Sequence, residues 1–476
     1  MAGRDPMRRW RIRGLTAVLV VGVALRVAAA RGDLWFDELW TLLLTTVAKS
    51  PWGVFTRLHS DNNHYLNTLW LMLIGPGASP ILYRLLSLAA AAGTLLLVAT
   101  WPSRKSRNVP FAATILVAFS YLLVTYGSEA RGYSLAIFFA LAAYRSIERF
   151  LETGRAVWAA AFAGAAILGI LSHLTFLFAL AGTLAWVAFE MVRRRGTFRA
   201  PPLTAAFFIA PPVALALLWW VDLRVLVIGG GPDYTIAAVL RECVRSMVGA
   251  PEGPLELLGV AAMAAALIEI VLLARARDGR AVFYAVLLLG PAITLLVERP
   301  VYLAPRYFVV VVPFLLILTA SALGRLGRQG RWGRPVVVGL LLLFAVTDDV
   351  AIARLITLGR GQYREAIASI LAASPDSVVT IGGDHDFRNR LVVLDQARRL
   401  GAEAAIVYVP QDRWTRDRPQ WLLRHDFSTT PTASPLVMAT TGRRYALVAV
   451  YPYAGLSGWS WIVYRAVPTT PPVAPR

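Results

Sequence analysis

A chain of 476 residues that is 57% hydrophobic and only 16% charged carries more apolar surface than soluble domains can bury. Its formal charge of +20 would suit a nucleic-acid partner, but the positions of the basic residues point to membrane topology instead. The single cysteine, Cys243, excludes an internal disulfide framework.

Along the chain, runs of roughly 17–20 apolar residues alternate with short charged loops, as membrane-spanning helices require. Read in order, they give about 11 spans, at 14–30, 81–100, 111–127, 132–150, 156–171, 173–191, 201–221, 255–274, 281–297, 307–323 and 335–351. Basic residues gather in alternate loops: "RDPMRRWRIR", "SRKSR", "YRSIERFLETGR", "RRRGTFR", "RARDGR" and "GRLGRQGRWGR". Placing all of these on one side satisfies the positive-inside rule. The N-terminus is then cytoplasmic and the chain beyond 351 external. The expected fold class is an α-helical polytopic membrane protein, residues 1–351, followed by a small external α/β domain, residues 352–476. Membrane lipids are expected partners; nucleic acid is not.

Residues 31–80 form one external, membrane-hugging loop on this reading. The piece "YLNTLWLMLIGPG" is too short to span and fits a re-entrant or interfacial helix. "LWTLLLTTVAKSPWGVF" fits a helix in the interface, with Trp40 and Trp52 at headgroup level. "VAAARG" resembles a signal-peptidase site, but Arg26 within the run and the carboxylates beyond it favour retention. Further on, "GGGP" in the external loop 222–254 reads as a flexible turn. In the tail, "YREAIASILAA", "SVVTI", "NRLVVLDQARRLGAEAAIVYV" and "RYALVAVYPY" alternate helix-like and strand-like patterns before a disordered "PTTPPVAPR" end. Asp384, His385 and Asp386 in "IGGDHDFRNR" read as a polar turn after a strand.

Polar groups collect near the external face. The first loop offers Asp33, Asp37 and Glu38, then His59, Asp61, Asn62, Asn63, His64 and Asn67 in "HSDNNHYLN". "YGSEARGY" adds Tyr126, Glu129, Arg131 and Tyr133, and "SHLTF" adds His173. "ERPVYLAPRY" adds Glu298, Arg299, Tyr302, Arg306 and Tyr307. Ionisable groups at membrane depth are costly and mark sites. Plainer roles stay open: interfacial snorkelling for Arg131 and Arg306, packing for His173, helix capping for Asp37 and a loop position for Asp33. His59, His64 and Asp61 lack zinc-like spacing, so no metal is expected, although a divalent cation bridging carboxylates and phosphate is an open alternative.

Acids and cations on one membrane surface suit a sugar carried on a lipid phosphate. Transfer to a hydroxyl needs a carboxylate to take the proton and cations to stabilise charge on the departing phosphate. Arginine suits the second task because its planar fork binds phosphate oxygens and stays charged. Asn63 and His64 can hold sugar hydroxyls or phosphate.

The ordered set "LWFDELWTL", "DNNHYLNTLWLMLIG", "YRLLSLAAAAGTLLLV", "YGSEARGYSLAIFFALAAY", "SHLTFLF" and "PRYFVVVVPFLLIL" resembles the class C glycosyltransferases. The likeness is to the protein O-mannosyltransferase and aminoarabinose transferase type, often called family 39-like, and covers roughly residues 10–325. It implies a hexosyl or pentosyl transferase with a polyprenyl-phosphate sugar donor and an inverting single displacement. The "DE" pair of the family maps onto Asp37 as base, with Glu38 beside it, and the motif positions place donor phosphate at Arg131 and Arg306. The remaining expected substrate contacts are His64, Asn63, Asp61, Glu129, Tyr133, His173 and Tyr307.

Where many relatives have "HPPL", this chain reads "HYLN" at 64–67, and a lysine that some members place shortly after is missing. Donor phosphate is then held differently, and the acceptor (glycan, lipid or protein) is left open. The rival reading is a transporter or flippase of a lipid-linked sugar. Against it, the halves do not repeat and the titratable groups gather at one surface rather than the midplane. The composition suits a multi-pass protein of the bacterial inner membrane and cell envelope.

Overall fold

The computed structural model describes residues 6–102, 108–194, 201, 203–229, 235–297, 304–374 and 378–468. The basic loop at 103–107, most of "RRRGTFR" and "GGGP", the residues Glu298, Arg299 and Tyr302, and the Pro-rich end from 469 lie outside the described residues. The chain divides into two compact units, Met1–Ala30 with Thr41–Ala353, and Arg31–Trp40 with Arg354–Arg476.

The first sixteen helices, in order, begin with α1 (Pro6–Ala29), α2 (Phe36–Ala48), α3 (Gly53–Thr56), α4 (Tyr65–Ile74), α5 (Pro80–Ala99), α6 (Asn108–Phe119), α7 (Tyr121–Gly127) and α8 (Tyr133–Thr153). They continue with α9 (Ala156–Ser172), α10 (Leu177–Arg193), α11 (Thr204–Val221), α12 (Ile236–Met247), α13 (Leu257–Arg275), α14 (Arg280–Val297), α15 (Val312–Leu326) and α16 (Gly333–Leu358). In the first unit α8 packs on α9, α10 on α14, α6 and α13 on α15, and α5 on α8. Helix α4, ten residues long, is about 15 Å and therefore well short of a bilayer core, as expected for a re-entrant or interfacial piece.

Each of the eleven expected segments is helical. Among the described residues, however, only six helices are long and apolar enough to cross a membrane, with a seventh if a bent pair is counted as one span. The count of about eleven full spans is therefore not reached by length and composition. Helices α9, α14 and α15 are apolar but short, and α8 carries Arg145, Glu148, Arg149 and Glu152 in its last turns.

The expected single span at 111–127 is in fact α6 and α7, bent by 63° at Ser120. Breaking a helix in a membrane exposes carbonyls at one end and N–H groups at the other, and both must find partners. Here the partners are charged. Arg26 of α1, fully buried, donates Nη1 to the Ala118 carbonyl at 2.9 Å and Nη2 to the Val117 carbonyl at 2.9 Å. Asp348 of α16, also fully buried, accepts the Tyr121 N–H at 2.5 Å, and the Ser120 hydroxyl donates to the Met247 carbonyl at 3.1 Å. A cation thus faces the negative end of α6 and a carboxylate the positive end of α7, the pairing the helix dipole favours. The same contacts explain why Arg26 sits in an apolar run.

The second unit contains α17 (Tyr363–Ala372), α18 (Asp386–Arg399) and α19 (Trp414–Asp417). Its strands are β1 (Val379–Gly383), β2 (Ile406–Tyr408), β3 (Trp421–Asp426), β4 (Leu436–Met438), β5 (Arg444–Tyr451) and β6 (Ser460–Ala466). They form one mixed sheet of order β2-β1-β3-β6-β5-β4, with β1 parallel to both neighbours and the other pairs antiparallel. One face of the sheet buries Leu422, Ile462 and Tyr464 with Val409, Trp414 and Tyr445. Asp384 and Asp386 do hold a turn. Asp384 pairs with His425 Nδ1 at 2.9 Å, and Asp386 accepts the Tyr408 hydroxyl and the Gln411 N–H, each at 2.9 Å.

Replacing Arg26 by Leu strips two buried carbonyls of their donors and should cost on the order of 3 kcal/mol. Asp348→Asn keeps an acceptor for Tyr121 and should cost less. Thermal melting in detergent micelles reads both; equal melting of Arg26→Leu and the parent would refute the role given to Arg26.

Candidate functional site

Three connections of the first unit meet around one cluster. The first is the loop 57–64, which ends at His64, the residue preceding α4. The second is the turn Ser128–Gly132 between α7 and α8, which carries Glu129 and Arg131. The third is His173, between α9 and a short 3-10 turn, Leu174–Phe176. The bend at Ser120 directs α7 into the second of these.

Their approach is close enough to demand a glycine. A Cβ on Gly132 would collide with the Ser172 carbonyl and come within 3.0 Å of His64 Cβ. Without a side chain there, the Gly132 N–H donates to His64 Nδ1 at 2.8 Å. His64 therefore carries its proton, when neutral, on Nε2, which is buried with no protein partner among the described residues. The His64 ring lies 4.7 Å from that of His173 and 5.3 Å from that of Tyr133, with Tyr133 and His173 4.4 Å apart. Arg131 donates to the Asn62 side-chain oxygen, and its guanidinium lies 5.6 Å from the centre of the Tyr133 ring. Asn62 in turn donates to Thr41 Oγ1 at 2.8 Å. Glu129 is fully buried in the same turn.

Arg306 stands on a 3-10 turn, Pro305–Phe308, with its guanidinium 5.8 Å from the centre of the Tyr307 ring. Its charge acts on both imidazoles. Burial first, then the charges of Arg131, His173 and Arg306, hold His64 well below the ordinary histidine range. Burial and the same two guanidinium groups push His173 down to about 3. The cluster is thus the Arg131 and Arg306 guanidinium groups and the buried Glu129 carboxyl beside two neutral imidazoles. Such a set can bind an anion without adding further cations.

Not every expected residue joins it. Asn63 is spent on its own loop: it donates to the carbonyls of Val54 at 2.8 Å and Leu58 at 3.0 Å, and accepts from Thr68 at 2.9 Å. Asp61 is exposed and pairs through its backbone with Val227 at 3.1 Å. Asp37 and Glu38 belong to the second unit, in the first turn of α2. Glu38 accepts the Trp35 N–H at 3.2 Å, reaching back across the first turn of α2. Asp37 is half-buried, and Asp33 accepts the Arg364 N–H at 2.9 Å. Among the described residues no group of three or more His, Cys, Asp or Glu is placed to hold a metal ion.

Three residues that sequence reasoning did not single out matter here. Thr41 and Gly132 brace Arg131 and His64; Gly132, between an arginine and a tyrosine in "EARGY", is the only one with a readable signal. Asp222, at the end of α11, is fully buried and pairs with His59 Nδ1 at 2.6 Å and the Tyr65 hydroxyl at 2.5 Å.

No protein-family profile and no curated protein matches the sequence. Solved structures do. ArnT from Cupriavidus metallidurans in the apo state is 13% identical, over 97% of this chain and 98% of its own, with a TM-score of 0.51. The chain has that fold over the matched residues. The same protein bound to undecaprenyl phosphate is 14% identical over 96% of this chain and 97% of its own, at 0.49. Arabinosyltransferase EmbB from Mycobacterium smegmatis is 21% identical at 0.45, the match covering 68% of this chain but only 31% of EmbB. The resemblance to class C glycosyltransferases read from the motifs therefore holds at the level of fold.

The neutral imidazoles carry a pH signature. The unfolded His173 takes a proton near 6.5 and the folded one near 3, so acidification within that window favours the unfolded chain. Stability from His173 is fully present above about 6.5 and falls on the order of 1 kcal/mol per pH unit below it. His173→Asn, which can still accept from the Thr175 N–H, should flatten the fall in melting temperature between pH 7 and pH 5. An unchanged slope would contradict the assignment.

Proposed function

We propose that this protein is an integral membrane glycosyltransferase that moves a sugar from a polyprenyl-phosphate donor to an acceptor hydroxyl on the external membrane face. The observation that carries the proposal is the first unit's cluster: Arg131 and Arg306 beside neutral His64 and His173, at the ends of helices. A monoanionic or dianionic phosphate matches two guanidinium groups, and His64 Nε2–H offers a further donor. Supporting this, ArnT, whose fold the chain shares over 97% of its length, has been solved with undecaprenyl phosphate bound. A bacterial inner-membrane location, with the N-terminus cytoplasmic and the second unit periplasmic, belongs to the same reading.

The chemistry proposed is a single displacement with inversion. The acceptor oxygen attacks the anomeric carbon as the bond from that carbon to the phosphate oxygen breaks. The electron pair leaves with polyprenyl phosphate, whose charge Arg131 and Arg306 stabilise. The acceptor proton passes to the Asp37 carboxylate, with Glu38 fixing the first turn of α2 that carries it. Glu129, Tyr133, Tyr307, Asn63 and Asp61 are assigned to orienting the sugar and the loops around it. Positive charge from two arginines makes a bridging divalent cation unnecessary in this scheme.

The test follows release of polyprenyl phosphate by the purified protein in lipid, offered a panel of polyprenyl-phosphate hexoses and pentoses. One donor should turn over, and Asp37→Asn should lower that rate by roughly a hundredfold to ten-thousandfold, the range for general-base loss. Turnover unaffected by Asp37→Asn would remove Asp37 as base. If no donor reacts while lipid-linked sugar crosses the bilayer of vesicles, the protein is a flippase instead.

A further inference from the structure

The loop that ends at His64 has a second working face. While Asn62 and His64 turn to Arg131 and His173, the side chains of His59 and Tyr65 turn to Asp222. Both oxygens of that buried carboxylate are engaged: Oδ1 with His59 Nδ1 at 2.6 Å, Oδ2 by the Tyr65 hydroxyl at 2.5 Å. A carboxylate on Nδ1 fixes the tautomer and orientation of the ring, and leaves Nε2 to face a ligand. The His59 side chain is 33% exposed, Asp222 not at all. The backbone is pinned on both sides of the ring. The Val227 N–H donates to the His59 carbonyl at 2.9 Å, and the Asp61 N–H donates to the Val227 carbonyl at 3.1 Å. Such a group loses little freedom on binding.

A row of aromatic rings leads to it. The buried Tyr65 stacks on the half-buried Phe55 with centres 5.2 Å apart and planes 2° apart, and Phe55 lies 6.1 Å from Trp52, the largely exposed end of the row that can meet a sugar. The exposed Asp61 lies on the same loop, two residues after His59. We propose that His59, backed by Asp222, binds a neutral, hydroxyl-rich, sugar-like acceptor along this aromatic row. Aromatic faces take the apolar face of a sugar ring, while an imidazole nitrogen and a carboxylate take its hydroxyls. Two carboxylates disfavour an anionic partner. A plain bilayer contact has no use for a carboxylate-oriented imidazole. The place of this subsite in the reaction rests on the transferase reading; the binding itself does not.

The test uses the full-length protein in lipid nanodiscs and the methyl glycosides of glucose, galactose, mannose and arabinose as probes. First, diethyl pyrocarbonate modification of His59 is followed by peptide mass spectrometry. At least one glycoside should protect His59 in the parent protein. Second, with a donor that turns over, His59→Phe and Asp222→Asn should raise the KM for that glycoside about tenfold, one hydrogen bond's worth. The donor KM should stay put. Protection without any sugar transfer keeps the subsite and removes the transferase reading. The proposal is overturned if no glycoside protects His59, if only a Ser/Thr peptide does, or if both variants leave the glycoside KM unchanged.

Discussion

The first unit depends on a helix broken where a membrane protein can least tolerate it. At Ser120 the backbone leaves the helical path, and the groups this frees have no water to turn to. Arg26 takes the carbonyls of α6 and Asp348 the first N–H of α7, so two side chains that look misplaced in apolar runs complete each other across the break. The bend redirects α7 into the turn that carries Glu129 and Arg131. Without it, a straight helix would carry these residues along the axis of α6, away from His64.

Downstream of the break, packing becomes very tight. Gly132 lets the turn lie against the Ser172 carbonyl and the His64 side chain, which draws α8, α9 and α4 to one point. Two imidazoles and an aromatic ring then pack, edge-on or tilted, beside a guanidinium group. Burial and the nearby guanidinium groups keep the histidines uncharged, so the cluster holds two cations and the Glu129 carboxyl rather than four cations.

Much of this was legible in the sequence. Hydropathy located the eleven helical segments, because apolar runs bounded by charge are a strong signal. Residues Arg131, His64, His173, Tyr133 and Arg306 were named from charge at the ends of apolar runs, and the first four pack together in the structure. What escaped was whatever depends on distant partners. Nothing local to Ser120 announces a break, since its cause lies in Arg26 and Asp348, far away in the chain. Asp222 was passed over because an acid ending a helix is ordinary until His59 and Tyr65 are seen on it. Asn63 read like its neighbour Asn62, yet one braces Arg131 and the other its own loop. In the tail, β1 and β5 carried clear alternation, whereas β3 and β6 mix charged and aromatic residues and gave no clean period.

The most direct measurement is the structure of the protein in nanodiscs with undecaprenyl phosphate added, determined by cryo-electron microscopy. The account predicts phosphate density within about 3 Å of the guanidinium nitrogens of Arg131 or Arg306, with the lipid tail running along the helices of the first unit. Phosphate density elsewhere, with the Arg131 cluster unchanged from the unliganded state, would contradict it.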